Sequence, residues 1–174
     1  MAADVRQVMR IRPAVREDAA AIAEIYNQGI LERIATFESE PRSVAQMEEW
    51  VAEHGGRYPA LVGEIDGQVV GWASVGTYRP RACYAGIGEY SIYVHRDWRG
   101  RGLGRVLVQA LIDEAERQGY WKLVSRIFTF NTASLKVARD LGFREVGIYE
   151  RHARLDGDWL DVVIVERLIP SNFT

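Results

Sequence analysis

"DWRGRGLGRVL", Asp97 to Leu107, places Gly100, Gly102 and Gly104 within five positions, after the apolar run EYSIYV and before an amphipathic run that begins near Arg105. Glycine costs a chain conformational entropy, so three in so short a stretch mark a backbone that must turn sharply or approach a ligand closely. A strand that runs through such a turn into a helix presents free amide N–H groups at the positive end of the helix dipole, which makes an anion site. Arg99, Arg101 and Arg105 add positive charge there, and phosphate is the expected guest. The segment lacks the closing Gly-Lys-Ser/Thr of a P-loop and the G-x-G-x-x-G spacing of a dinucleotide turn. A tight strand-to-helix turn with solvated arginines is the plain alternative.

Outward from this segment, the chain reads as strands with interleaved helices. Arg10 to Pro13 is a short strand, and Ile22, Ile25, Tyr26 and Gly29 recur at helical spacing from Asp18 to about Gly29. Ser43 and Gln46 fit a capping box ahead of Met47, Trp50 and Val51, and Gly55 and Gly56 stop that helix. Asp66-Gly67 and Asp156-Gly157 each sit between two β-rich runs and predict tight hairpins. EYSIYV (residues 89–94) and WKLVSRIF (121–128) are strands on either side of a helix from about Arg105 to Gln118, and TASLKVARDL (132–141) is a short helix closed by Gly142. The expectation is an α/β (α+β) fold: a mixed, mostly antiparallel sheet of about seven strands flanked by helices, with one strand-helix-strand crossover in the middle.

Composition narrows the function classes. The chain has 174 residues, 48% hydrophobic and 26% charged, which suits one domain with one core; its expected span is 9–170, with residues 1–8 as a loose tail and Met9 as an alternative start. The net charge of -2 and a pI near 6.0 lack the basic excess of a nucleic-acid or anionic-membrane footprint. No run approaches the roughly 18 apolar residues of a membrane span, and MAADVRQVMR has no apolar signal core. Cys83 stands alone, and His54, His95 and His152 do not fall at metal-ligand spacings, so no metal is expected and the cytoplasm is the expected compartment. A lone cysteine with no histidine partner is more often a small hydrophobe than a nucleophile, and the histidines read as surface or packing residues.

R-G-R-G-L-G (residues 99–104) also resembles the Arg-x-x-Gly-x-Gly/Ala signature of the GNAT superfamily of acetyl-CoA-dependent N-acetyltransferases. NTASLKVARDLGF (131–143) is similar to that superfamily's Asn-x-x-Ala/Ser helix ending in Gly-Phe, and the likeness runs in order from Ile11 to Leu168. IYNQGI, ATFESEP, VGWASVGTYRPRACYAG and GDWLDVVIVERL resemble the phosphinothricin and methionine sulfoximine acetyltransferase group. The resemblance implies the GNAT fold, acetyl-CoA as cosubstrate, a small amino-acid-like amine as acceptor, and a homodimer. It implies that Arg99, Gly100, Arg101, Gly102, Leu103, Gly104 and Arg105 surround the pyrophosphate. Ile92, Tyr93 and Val94 would then meet the pantetheine arm and thioester, with Asn131 and Ser134 alongside that arm.

An alkyl ammonium must lose a proton before its nitrogen can attack a thioester, so the chemistry asks for a base beside the cofactor strand. Glu89 begins that strand, shares a face with Ser91 and Tyr93, and matches the glutamate that the resembled family uses as general base. The helix position at which many such enzymes carry a tyrosine is Ala138, which leaves the departing thiolate to be protonated by solvent or by a tyrosine elsewhere. Arginine forks suit carboxylates, and the resemblance places Arg79, Arg81 and Tyr84, with Phe37, at the acceptor. Acetylation of a protein N-terminus or another amine and a non-catalytic acyl-CoA sensor are the competing readings.

Overall fold

The computed structural model describes residue 4, residues 8–56 and residues 58–174; the rest of the expected tail, residues 1–3 and 5–7, lies outside the described residues, as does Arg57. Seven strands form one sheet: β1 (Arg10–Pro13), β2 (Ala60–Ile65), β3 (Gln68–Thr77), β4 (Ile87–Val94), β5 (Lys122–Phe128), β6 (Arg144–Leu155) and β7 (Asp158–Leu168). Their order across the sheet is β1-β2-β3-β4-β5-β7-β6, and every neighbouring pair is antiparallel except β4–β5. Helices α1 (Ala19–Glu32) and α2 (Val44–His54) cover one face; α3 (Leu103–Arg117) and α4 (Thr132–Asp140) cover the other.

Local signals explain most boundaries. Ser43 Oγ accepts the Gln46 amide at 3.2 Å while Gln46 Oε1 accepts the Ser43 amide at 2.8 Å, so the expected capping box starts α2. Asp66 and Asp156 both have φ of 50°, and the following Gly67 and Gly157 have φ of 79° and 88°, the left-handed pair that a two-residue hairpin needs. α1 runs past Gly29 to Glu32, because Gly29 is buried against the Tyr93 ring and the helix ends only where Arg33 adopts φ of 57°. α3 begins at Leu103, two residues before the expected start, so Gly104 lies inside the helix.

The main core lies between the sheet and α3/α4, where Leu107, Val108, Leu111 and Leu123 are fully buried. A second cluster joins Ile22, Ile25, Met47 and Val51 to Val62 and Trp72 on the opposite face. Between them these clusters clamp β4 from both sides, so the strand that carries Glu89 is held rigidly. Cys83 differs from the expectation for a small hydrophobe: it is exposed, on the turn between β3 and β4.

Candidate active site

β4 and β5 are hydrogen-bonded in parallel only over Ile87–Glu89 and Lys122–Val124, after which the two strands part. The gap is a narrow cleft of about 50 Å³ walled by Tyr90 to Tyr93 on β4, Ser125 to Ile127 on β5, and Ala35, Asn131 and Ser134. Which main-chain groups face it follows from strand alternation. The His95 amide donates to Val70 O on β3 at 2.9 Å, whereas Tyr90 O accepts the Ser125 hydroxyl on the β5 side at 3.0 Å. Even-numbered residues of β4 therefore turn their N–H and C=O groups toward the cleft, which places the Ile92 and Val94 amides there. Tyr93 turns its main chain to β3 and its ring to α1, stacked on Trp72 at 4.8 Å. Burial pushes the phenol pKa of both Tyr90 and Tyr93 upward, so both remain protonated.

The glycine segment closes one end of the cleft. Gly100 and Gly102 have φ of 75° and 78°, a conformation that L side chains rarely adopt. Gly102 is the N-cap of α3 and, among the described residues, no side chain caps that terminus, so its first-turn amides are left for another acceptor. A Cβ on Gly104 would come within 3.8 to 3.9 Å of Val94, Ile92 and Val137, which puts the missing side chain over the cleft mouth. Leu103 is buried beneath the turn, and Arg105 is exposed on its outer side.

The arginines are less free than their spacing suggests. Arg99 donates to Glu32 of α1 at 2.5 Å and to Val94 O at 3.0 Å, so one side chain ties the turn to both α1 and β4. Arg101 donates to Asp97 O at 3.0 Å and lies over the Trp98 ring, 4.7 Å from its centroid. Asn131 is the N-cap of α4: its Oδ1 accepts the Ser134 amide at 3.2 Å and its Nδ2 donates to Ile34 O at 3.1 Å. It thereby fixes both the helix start and the loop that leads to Ala35.

Glu89 stands at the fork, where the β4–β5 ladder ends, on the face shared with Ser91 and Tyr93. Its carboxylate accepts from Arg126 of β5 at 2.7 Å, a partner 37 residues away that sequence reasoning missed. Arg79, Arg81 and Tyr84 are not brought into the cleft: they line a separate cavity of about 440 Å³, beside Tyr58, Gln118 and Tyr120, with no lining residue in common. Phe37 packs edge-on against Phe128 at 4.8 Å, below Arg126 on the same strand. Ala138 is buried in the core, so that helix position offers the cleft no proton donor. His95 is buried too, and its ring nitrogens meet Glu24 and the Asp97 amide, a packing and capping role. Among the described residues no group of His, Cys, Asp or Glu is arranged to hold a metal ion, and no helix is long and apolar enough to cross a membrane.

A sheet that forks at a parallel pair, with a bare helix N-terminus at one end of the fork and an acid at its base, is the architecture of an acyltransferase that takes its acyl group from a long thioester carrier. The profile of the acetyltransferase (GNAT) domain matches residues 11–164, and the chain belongs to that family. The L-amino acid N-acyltransferase MnaT of Escherichia coli is 38% identical over 159 residues, covering 91% of this chain and 92% of that protein. The L-methionine sulfoximine/L-methionine sulfone acetyltransferase of Pseudomonas paraeruginosa is 37% identical over 160 residues, covering 90% and 92%. The yncA acetyltransferase of Salmonella typhimurium, solved with its cofactor acetyl-CoA, superposes with a TM-score of 0.89 at 36% identity, over 92% of this chain and 93% of that one.

Proposed function

We propose that this protein transfers the acetyl group of acetyl-CoA to the α-amine of a small amino-acid-like acceptor such as methionine sulfoximine or phosphinothricin. The observation that carries this reading is Glu89 at the base of the β4–β5 fork, in a chain whose relatives bear the names of amino-acid acyltransferases. Glu89 takes one proton from the acceptor ammonium, the freed nitrogen attacks the thioester carbonyl carbon, and the adduct gives up its second N–H proton, through solvent, to the departing coenzyme A thiolate, leaving an N-acetyl product and the free thiol. The Ile92 and Val94 amides hold the pantetheine and polarise the thioester carbonyl, with Asn131 and Ser134 along the arm. The first-turn amides of α3, bared by Gly100, Gly102 and Gly104, take the pyrophosphate; Arg101 and Arg105 supply charge around it, while Arg99 braces the turn. The loop carrying Arg79, Arg81 and Tyr84 leads directly into β4 but lines a cavity of its own, so of the residues expected at the acceptor it is Phe37, packed on Phe128 of β5, that stands beside the fork. Acetylation would remove the positive charge on the α-amine of such acceptors and so end their likeness to a free amino acid, a detoxifying role.

Free-thiol release from acetyl-CoA tests the reading, with methionine sulfoximine, phosphinothricin, ordinary amino acids, a polyamine and a short peptide as acceptors. Turnover of the first two that collapses in Glu89→Gln is the expected result. Turnover of the peptide alone would assign a protein N-terminus as acceptor, and tight acetyl-CoA binding without turnover would assign a sensor.

We further infer that a second copy of the chain covers β6. This edge strand is exposed along nearly its whole length and carries Val146, Ile148 and Tyr149 uncovered, beside exposed Trp159 of β7. A long apolar edge left bare invites association. Sedimentation should give twice the chain mass, and Ile148→Lys should give the monomer. With one cysteine the chain forms no internal disulfide, which fits work in the reducing cytoplasm.

A further inference from the structure

The Glu89–Arg126 pair sits where the acceptor ammonium must arrive, and its chemistry bears on which acceptors can be used. Glu89 is the register partner of Val124, and Arg126 lies two residues further along β5, so both side chains project from the same face at the fork. The carboxylate is about a third exposed and the guanidinium about half, at 29% and 51%, so both are reachable from solvent. Arg126 is held by Oε1 at 2.7 Å, and once Glu89 has taken a proton from the acceptor ammonium it is neutral and no longer a counter-charge for that guanidinium.

Among the described residues, the one ion pair that Arg126 makes is with Glu89. Its neighbours on its own face are Val124 and Phe128 on β5 and its register partner Ile164 on β7. Glu166, next on that face of β7, is already held by Lys122 at 2.5 Å and Arg144 at 2.6 Å. A plain amine that took Arg126's place on Glu89 would leave a guanidinium without a counter-charge at the cleft mouth, where Arg126 joins Ser91 and Ser134 in the wall. An α-amino acid carries its own remedy, since its ammonium and carboxylate branch from one carbon.

We propose that Arg126 reads the acceptor's α-carboxylate: the ammonium of the incoming zwitterion replaces Arg126 on Glu89, and its carboxylate replaces Glu89 on Arg126. This rests on the acceptor class argued above, and adds to it the residue that selects carboxylate-bearing amines from plain ones. The resident ion pair is a template of the substrate's own charge pair, so binding exchanges charge partners and strands neither.

The test compares methionine sulfoximine with its α-carboxamide, which keeps the amine and removes the negative charge, in wild type, Arg126→Gln and Arg126→Lys. The readout is the ratio of kcat/KM for acid over amide, from which any partial loss of folded enzyme cancels. A charge-assisted hydrogen bond supports an expected fall in that ratio of about 10- to 100-fold in Arg126→Gln, carried mainly by KM for the acid, with part of it kept in Arg126→Lys. An unchanged ratio overturns the proposal. So does an equal loss on both acceptors with a displaced pH profile, which would make Arg126 a positioning residue for Glu89 alone. If wild type acetylates neither methionine sulfoximine nor any other amino acid yet uses a peptide or polyamine, the acceptor class itself falls, and this assignment falls with it.

Discussion

The Ser125 hydroxyl donates to the Tyr90 carbonyl at 3.0 Å, a buried bond made across the two strands just beyond the point where their ladder ends. It takes the place of one rung and sets how far β4 and β5 part. Ser125→Ala leaves that carbonyl without its partner in the cleft wall. Denaturant unfolding should show a loss of about 1 to 2 kcal/mol.

Glu89→Gln removes the proposed proton acceptor and keeps the shape. General-base contributions of the usual size predict that kcat/KM for an amino-acid acceptor falls by about 10²- to 10⁴-fold. Calorimetric titration of acetyl-CoA should show its affinity little changed, because Glu89 faces the acceptor side of β4. A parallel loss of acetyl-CoA binding would mean that Glu89 organises the cleft and is not the base.

Two glycines of the turn should respond in opposite directions. Gly100 has φ of 75° and open space where a Cβ would go, so Gly100→Ala should cost about 1 kcal/mol or more from backbone strain alone. Gly104 lies within α3 and its Cβ would make only ordinary contacts, so Gly104→Ala should raise the melting temperature through a helix-propensity gain of up to about 1 kcal/mol. The added methyl group stands over the cleft mouth, and the same variant should bind acetyl-CoA more weakly. Thermal unfolding with and without acetyl-CoA separates the two effects.

Arg12, Asp18 and Glu64 tie β1 to β2 and to the start of α1. Asp18 receives the Arg12 guanidinium at 2.7 and 2.8 Å and the Val15 amide at 2.8 Å. Burial works to raise its pKa, but those hydrogen bonds outweigh burial and hold the carboxyl below its ordinary range. A carboxyl whose pKa is lowered on folding stabilises above its unfolded value, about 3.9, and that contribution is lost as pH falls through the folded value. Asp18→Asn should therefore cost about 1.5 to 3 kcal/mol at pH 7, with the gap to wild type closing in acid below about pH 4. Urea denaturation across that range checks both magnitude and sign.

What could be read in the sequence was local. The Asp-Gly hairpins, the Ser43–Gln46 box and the glycine turn each depend on residues within a few positions of one another, and each appears where the spacing put it. The start of α3 was displaced by two residues because Gly104 reads as part of the loop, although its φ is helical and its lack of a Cβ serves the cleft. The partners of the charged residues were not legible. Glu89 meets Arg126, and Arg99 meets Glu32, only because the parallel crossover and the packing of α1 bring distant segments side by side. Arg79 and Arg81, which the resemblance places at the acceptor, line a cavity of their own beside the start of β4, a grouping with Tyr58, Gln118 and Tyr120 that no local spacing shows.

The insertion of β7 between β5 and β6 has a consequence for how the molecule is made. β5 pairs with β4 over only three residues, whereas β7 pairs with it from Lys122 to Phe128. During synthesis, the far wall of the cleft thus stays open along one edge until Asp158–Leu168 has emerged, long after β1 to β4 and both N-terminal helices can assemble. The strand that shapes the fork waits for nearly the last segment of the chain. Long-range closure of this kind is slow, and a nascent chain halted before Asp158 would display Ser125 to Phe128 with no strand beside them.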